Sequence, residues 1–150
     1  MAVTAKWYGN HFVNQYKAVA AGDVIDFDTD TMKVSLHTVT YVPAQDTDDF
    51  WNDATNEITG TGYTTKGVTL GSKTVTYDAG TNECRLDAGD AQWTASSFTA
   101  RIAVVYKDGA GADTTDPLLS YVDFGGDETV SSGTFTIQWD ATGVAKITSS

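Results

Sequence analysis

Cysteine is almost missing from this chain: Cys84 is its only example, and histidine is nearly as scarce, with His11 and His37. A lone cysteine forms no internal disulfide, so the fold must hold together by packing, and a reducing compartment is the expected place of synthesis. Three nitrogen or sulfur donors fall short of the four that a structural zinc site takes. Nucleophilic catalysis needs a base within reach of Ser or Cys, and no motif surrounds either histidine or Cys84. The glycines never form a phosphate-cradling pattern. The expectation is a non-enzymatic protein with no catalytic residue, no cofactor and no metal. Basic residues are also few, 9 against 20 acidic ones, for a formal net charge of -11. Such a chain repels phosphate backbones and offers no polybasic segment to anionic lipids, so neither nucleic acid nor membrane is an expected partner. No apolar run approaches a membrane span, and MAVTAKWYGNHF lacks the uninterrupted apolar core of a signal peptide.

What is present is Asp, Thr, Gly and aromatics. The acid is nearly all Asp, the turn-forming carboxylate, rather than Glu, the helix former. With 41% hydrophobic and 11% aromatic residues, 150 residues suffice for one packed domain. The expected fold is mainly β: a single-domain antiparallel β-sandwich or barrel over 1–150, with an N-terminal helix and a short helical turn near 46–53.

The chain turns on Asn56–Leu70, NEITGTGYTTKGVTL. Gly60 and Gly62 at i and i+2 permit positive φ or close backbone approach, which marks an ordered corner between a loop-rich front and a β-rich remainder. Ahead of it, Lys6–Ala21 (6–21) reads as a helix. Tyr8, Phe12, Tyr16 and Val19/Ala20 recur at helical spacing, Trp7 and Val13 flank them, and Gly22 is placed to terminate it. That helix either docks on a partner or covers one end of the sheet. In the docking reading Trp7, Tyr8, Phe12 and Tyr16 are the candidate interface. Asp26, Asp28 and Asp30 alternate like the opening of a calcium loop, but that loop's sixth-position Gly is missing and His37 stands where its twelfth-position Glu belongs, so a solvated loop is the simpler reading.

Lys33–Tyr41 alternates as a strand, with His37 on the face of Ser35, and Pro43 ends it. In the following turn Thr47 or Asp48 suits a cap, and capping and solvation explain Asp46, Asp48, Asp49 and Asp53 without a paired-carboxylate site. Short strands then follow at Lys73–Tyr77, Cys84–Leu86, Ala91–Trp93, Phe98–Tyr106, Leu118–Phe124, Thr134–Trp139 and Val144–Thr148. Phe98–Tyr106 is the strongest and reads as central, with Phe98, Ala100, Ile102, Val104 and Tyr106 lining the core and Arg101 half-exposed beside an Asp. Lys107–Asp116 reads as a flexible exposed tip, Gly125-Gly126-Asp127 as a turn, and Asp140–Gly143 as a hairpin connection.

Several of these blocks together resemble a family of tailed-bacteriophage structural proteins. They are Asp30-Thr31 with Lys33-Val34, Tyr41-Val42-Pro43 followed by Gln45-Asp46-Thr47, Asn56-Glu57-Ile58-Thr59-Gly60-Thr61-Gly62-Tyr63, Ala103–Asp108 and Phe135–Asp140. The likeness runs from about Trp7 to the end, and the Asn56–Tyr63 block is its most specific part. The resemblance implies a non-enzymatic virion component built on a β-sandwich. A head decoration (cement) or minor capsid protein is the leading form, made in the host bacterial cytoplasm and carried on the virion. Its partner would be the major capsid protein or another virion protein. Symmetric shells suggest a small homo-oligomer, with a trimer at three-fold positions as the first guess. The alternative is a tail-borne receptor- or carbohydrate-binding domain using exposed rings of Trp51, Tyr63 or Trp93.

Overall fold

The computed structural model describes residues 2–17, 24–109 and 111–149. The chain is mainly β, 51% strand and 9% helix, in two antiparallel sheets that do not close into a barrel, as in a β-sandwich. Two long strands carry it: β7 (Ala91–Lys107) and β8 (Leu118–Trp139) pair from Ala91↔Ile137 to Tyr106↔Leu118. Outside β7 lie β3 (Met32–His37) and then the short β4 (Val68–Thr69). The far side of β8 takes β1 (Ala2–Val3) in parallel at Gln138 and Trp139, and β2 (Lys6–Trp7) antiparallel at Ser120 and Tyr121. The second sheet is β5 (Thr74–Asp78), β6 (Glu83–Asp87) and β9 (Ala145–Thr148), in that order.

The central strand is as expected: β7 lies between β3 and β8, and 102–106 is buried on both faces. Its faces differ from a simple alternation. Phe98 and Ala100 pack with Ala103 and Val105 in the larger core, whereas Ile102, Val104 and Tyr106 pack with Tyr8, Tyr41, Trp51 and Leu118 in a second one. The register shifts between Ala100 and Ile102, where β8 carries extra residues around Gly125 at φ +81°. A bulge of this kind bends the pair and changes which side a residue serves. The expected turn at Gly125-Gly126-Asp127 is therefore a bulge inside one continuous strand. The expected separate strands Ala91–Trp93 and Phe98–Tyr106 also merge. Arg101 pairs with Asp123 at 2.6 Å, half-exposed as expected.

Other local expectations are revised. The strand at 33–41 ends at His37, ahead of Pro43. The helical turn near 46–53 is a 3₁₀ turn at Trp51–Asp53 that follows Phe50, so neither Thr47 nor Asp48 is its cap. Asp53 accepts the Asp49 amide at 3.1 Å, and Asp48 accepts the Ala44 amide at 2.9 Å. These carboxylates do close turns, though not at the predicted cap. The Lys107–Asp116 loop is not a loose tip: Asp116 is fully buried, accepting the Gly109 amide at 2.8 Å and Lys66 Nζ at 3.3 Å. The Asp140–Gly143 turn forms, but β9 leaves it to pair with β6 rather than return along β8, so the turn passes the chain from one sheet to the other.

Asn56–Leu70 is the predicted corner, and it stitches β3 to β7. Thr61 bridges Ser97, and a Cβ on Gly60 would fall 2.7 Å from the Ser97 carbonyl oxygen. The Glu57 carboxylate accepts the Tyr63 hydroxyl at 2.6 Å and the Lys66 amide at 2.5 Å. That oxygen in turn holds Tyr63 where its own hydroxyl accepts the Leu36 amide at 3.0 Å.

Candidate binding surface

The N-terminal segment differs most from expectation. Lys6 and Trp7 are strand, and the helix α1 runs only over Gly9–Lys17. Residues 18–23, with Val19, Ala20 and the predicted terminator Gly22, and the Tyr16 side chain lie outside the described residues. The switch from strand to helix between Trp7 and Gly9 breaks the helical spacing that joined Tyr8 to Phe12. Alternation in β2 sends Trp7 and Tyr8 to opposite sides. Tyr8 is fully buried and donates its hydroxyl to Tyr41 at 2.8 Å, while Tyr41 donates to Asp48 at 2.9 Å. Burial pushes the Tyr8 phenol well above its ordinary range, so it stays neutral. Tyr8 is a core residue and leaves the candidate interface.

Trp7 and Phe12 do come together. Trp7 stacks on His11 with centroids 5.2 Å apart and tilts against Phe12 at 5.0 Å. The Trp7 indole donates to the Lys146 carbonyl at 2.9 Å, which ties this aromatic group to β9 of the second sheet. His11 is 8% exposed, and burial lowers its imidazole to about 4, so at neutral pH it is an uncharged aromatic. Opposite stands the 24–28 segment, clamped by Gln15. Its side chain accepts the Ile25 amide at 3.0 Å and donates to the Ile25 carbonyl at 3.3 Å. Lys107 holds the same segment through the Val24 carbonyl at 2.8 Å and the Asp30 carboxylate at 3.0 Å. Asp30 also accepts the Asp26 amide at 2.8 Å, so this carboxylate of the Asp26/Asp28/Asp30 run serves the turn and the Lys107 ion pair.

Between these walls is a cleft of about 470 Å³, floored by Leu86 and Leu119 and rimmed by Val75 and Ile147. The lining is mainly apolar, with Asp26 and Asp28 at the edge. Val75 is 45% exposed, Tyr77 60% and Ile147 39%, an apolar strip on the second sheet. The arrangement suits contact with an apolar or aromatic group of a partner. Alternation at Val75 and Tyr77 is visible in the sequence, but nothing in it shows that this end of the strip would be left uncovered.

A second cluster has the outline of catalytic chemistry and is sealed. Ser35 and His37, two apart on β3, place Oγ and Nε2 2.8 Å apart. His37 Nδ1 faces the Thr55 carbonyl at 2.8 Å. A carbonyl only accepts, so Nδ1 carries the proton and Nε2 accepts the Ser35 hydroxyl. The Trp51 indole donates to Ser35 Oγ at 3.1 Å, and Ser35 and His37 have no exposed surface. Burial lowers His37 to about 4. This is a buried hydrogen-bonded network that fixes Trp51 against Tyr106, and His37 is the strand-face residue the sequence suggested.

The rings proposed as sugar platforms are not available as a set. Trp51 is 9% exposed and Trp93 2%, and Tyr63 is half-buried with its ring stacked toward Trp93. Comparison with protein-family models, curated proteins and solved structures finds no match for this chain.

Proposed function

We propose that this chain is a non-enzymatic bacteriophage virion structural protein of the capsid-decoration type, docking on the major capsid protein or another virion protein. Two things support the reading: the resemblance spread from Asp30 to Asp140, and a two-sheet fold that presents a shaped apolar surface. The observation that carries it is the Trp7–His11–Phe12 group at a 470 Å³ cleft, next to the exposed Val75–Tyr77–Ile147 strip. Aromatic anchors beside a concavity are what recognition by shape uses. The net charge of -11 keeps such a surface soluble until assembly.

The test is incubation of the purified protein with capsids lacking it, followed by sedimentation and particle imaging. Saturable binding at regular lattice positions is the expected result. Phe12→Ser combined with Val13→Asp, at a half-buried and an exposed position of α1, should weaken that binding at least about tenfold while the protein stays folded. Adsorption to host cells or glycans, with no binding to heads, would overturn the decoration reading in favour of a receptor-binding one.

A further inference from the structure

We propose that two copies of this chain pair through their β5 strands, antiparallel about Thr76, to make one continuous six-stranded sheet. β5 is the edge of the three-stranded sheet, and Thr74, Val75, Thr76 and Tyr77 are all exposed. Among the described residues its outer backbone groups meet no other strand. Edge strands are usually blunted by lysine, proline or a bulge. β5 has none of these within Thr74–Asp78; its one charge, Asp78, is already paired with Arg85 at 3.0 Å. Thr, Val and Tyr are strong strand formers, and such a row of unpaired groups is a template for another strand.

The occupant is a second copy because the edge is self-complementary. A two-fold axis at Thr76 sets Val75 against Tyr77 of the second copy, Thr74 against its Asp78, and Thr76 against itself. No like charges face each other. Aromatic against β-branched is a favourable cross-strand pair, and it occurs twice. Within one copy Val75 stands opposite Leu86, Tyr77 opposite Cys84, and Cys84 opposite Ile147. Pairing therefore extends the apolar strip across all six strands, setting Val75 and Tyr77 side by side across the seam while the face of the strip stays open. The other edge of this sheet is engaged, since the Lys146 carbonyl of β9 accepts the Trp7 indole. A head-to-tail β5-to-β9 ring, the route to a trimer, would have to break that bond, whereas the two-fold pairing breaks nothing. A five-residue edge buries less than the roughly 1,200–2,000 Å² of a standard interface, so the dimer should be concentration-dependent rather than obligate.

Sedimentation equilibrium of the full chain, without capsids, tests this. A monomer–dimer equilibrium is expected at high protein concentration. Thr76→Lys and Thr76→Asp each place like charges opposite one another, and each should weaken dimerisation at least tenfold with circular dichroism and Tm unchanged. Mixed in equal amounts, the two variants should recover dimer as the heterodimer. A chain that stays monomeric throughout, a trimer, or a dimer indifferent to both variants would overturn the proposal. Capsid binding is read separately, so either proposal can fail without the other.

Discussion

Lowering the pH from about 7.5 to about 5.5 should cost this fold about 2.7 kcal/mol through its two histidines alone. His37 and His11 are both held near 4 by burial, against an ordinary 6.5. In the unfolded chain each imidazole takes up a proton as the pH falls through 6.5, while in the folded chain each stays neutral. The unfolded state therefore binds more protons, and stability rises with pH across the window. The contribution is fully present above the unfolded value of 6.5 and is lost as the pH falls toward 4. Each histidine accounts for about 1.4 kcal/mol between about pH 7.5 and about pH 5.5, from one unit of proton uptake at about 1.36 kcal/mol. Burial raises Glu57, which works in the opposite direction, so the histidine contribution is isolated by comparing the wild type with a histidine variant. Urea unfolding followed by fluorescence of the four tryptophans, at a series of pH values, measures the slope. His11→Gln should remove about half of it, since His11 makes ring contacts while His37 sits in the Ser35–Trp51–Thr55 network. An imidazole resonance titrating near the ordinary value in the folded protein, or a stability flat between the two pH values, would refute the reasoning.

Two stability comparisons follow from local geometry. Gly67 sits at φ +75°, and a Cβ there would lie 1.9 Å from the Val34 carbonyl oxygen, so Gly67→Ala should cost roughly 3 kcal/mol or more by urea unfolding. At Gly71 a Cβ would meet nothing within 4 Å, and Gly71→Ala is the control that should move stability by less than about 0.5 kcal/mol. Ser120 is fully buried, and among the described residues its hydroxyl has no hydrogen-bond partner. Ser120→Ala should then be neutral or stabilising by up to about 1 kcal/mol in thermal unfolding, and a loss of that size would mean the hydroxyl has a partner.

Much of the architecture was legible because it follows from local chemistry. The strand-forming run at 98–106 announces a β protein with a central strand, and β7 is that strand, though the bulge breaks the expected alternation of its faces. Arg101 beside an Asp was readable too, since a long cation on a mostly apolar strand needs a carboxylate across the ladder. The candidate surface was half legible. Trp7 and Phe12 meet there, but Tyr8 does not, because a two-residue strand precedes the helix and reverses its direction.

What only the tertiary structure decided were the pairings. Lys6–Trp7 has helical spacing with its neighbours, yet docking on Ser120 and Tyr121 gives its backbone a ladder partner, and that outweighs a weak local preference. Gly125-Gly126 reads as a turn when taken alone. Inside β8 it is a bulge, because β7 stays paired on both sides of it and supplies hydrogen bonds that a local reading does not see. The route of β9 to β6, and with it the open edge at β5, depends on which strands are near in space. The sequence alone determined which residues favour strand, since that is a property of neighbouring side chains, whereas the side each residue of β7 serves changes at a bulge set by its pairing with β8. Which edges are filled, and which apolar side is left uncovered, was settled by contacts between residues as far apart as Glu83 and Thr148, whose pairing no local period encodes.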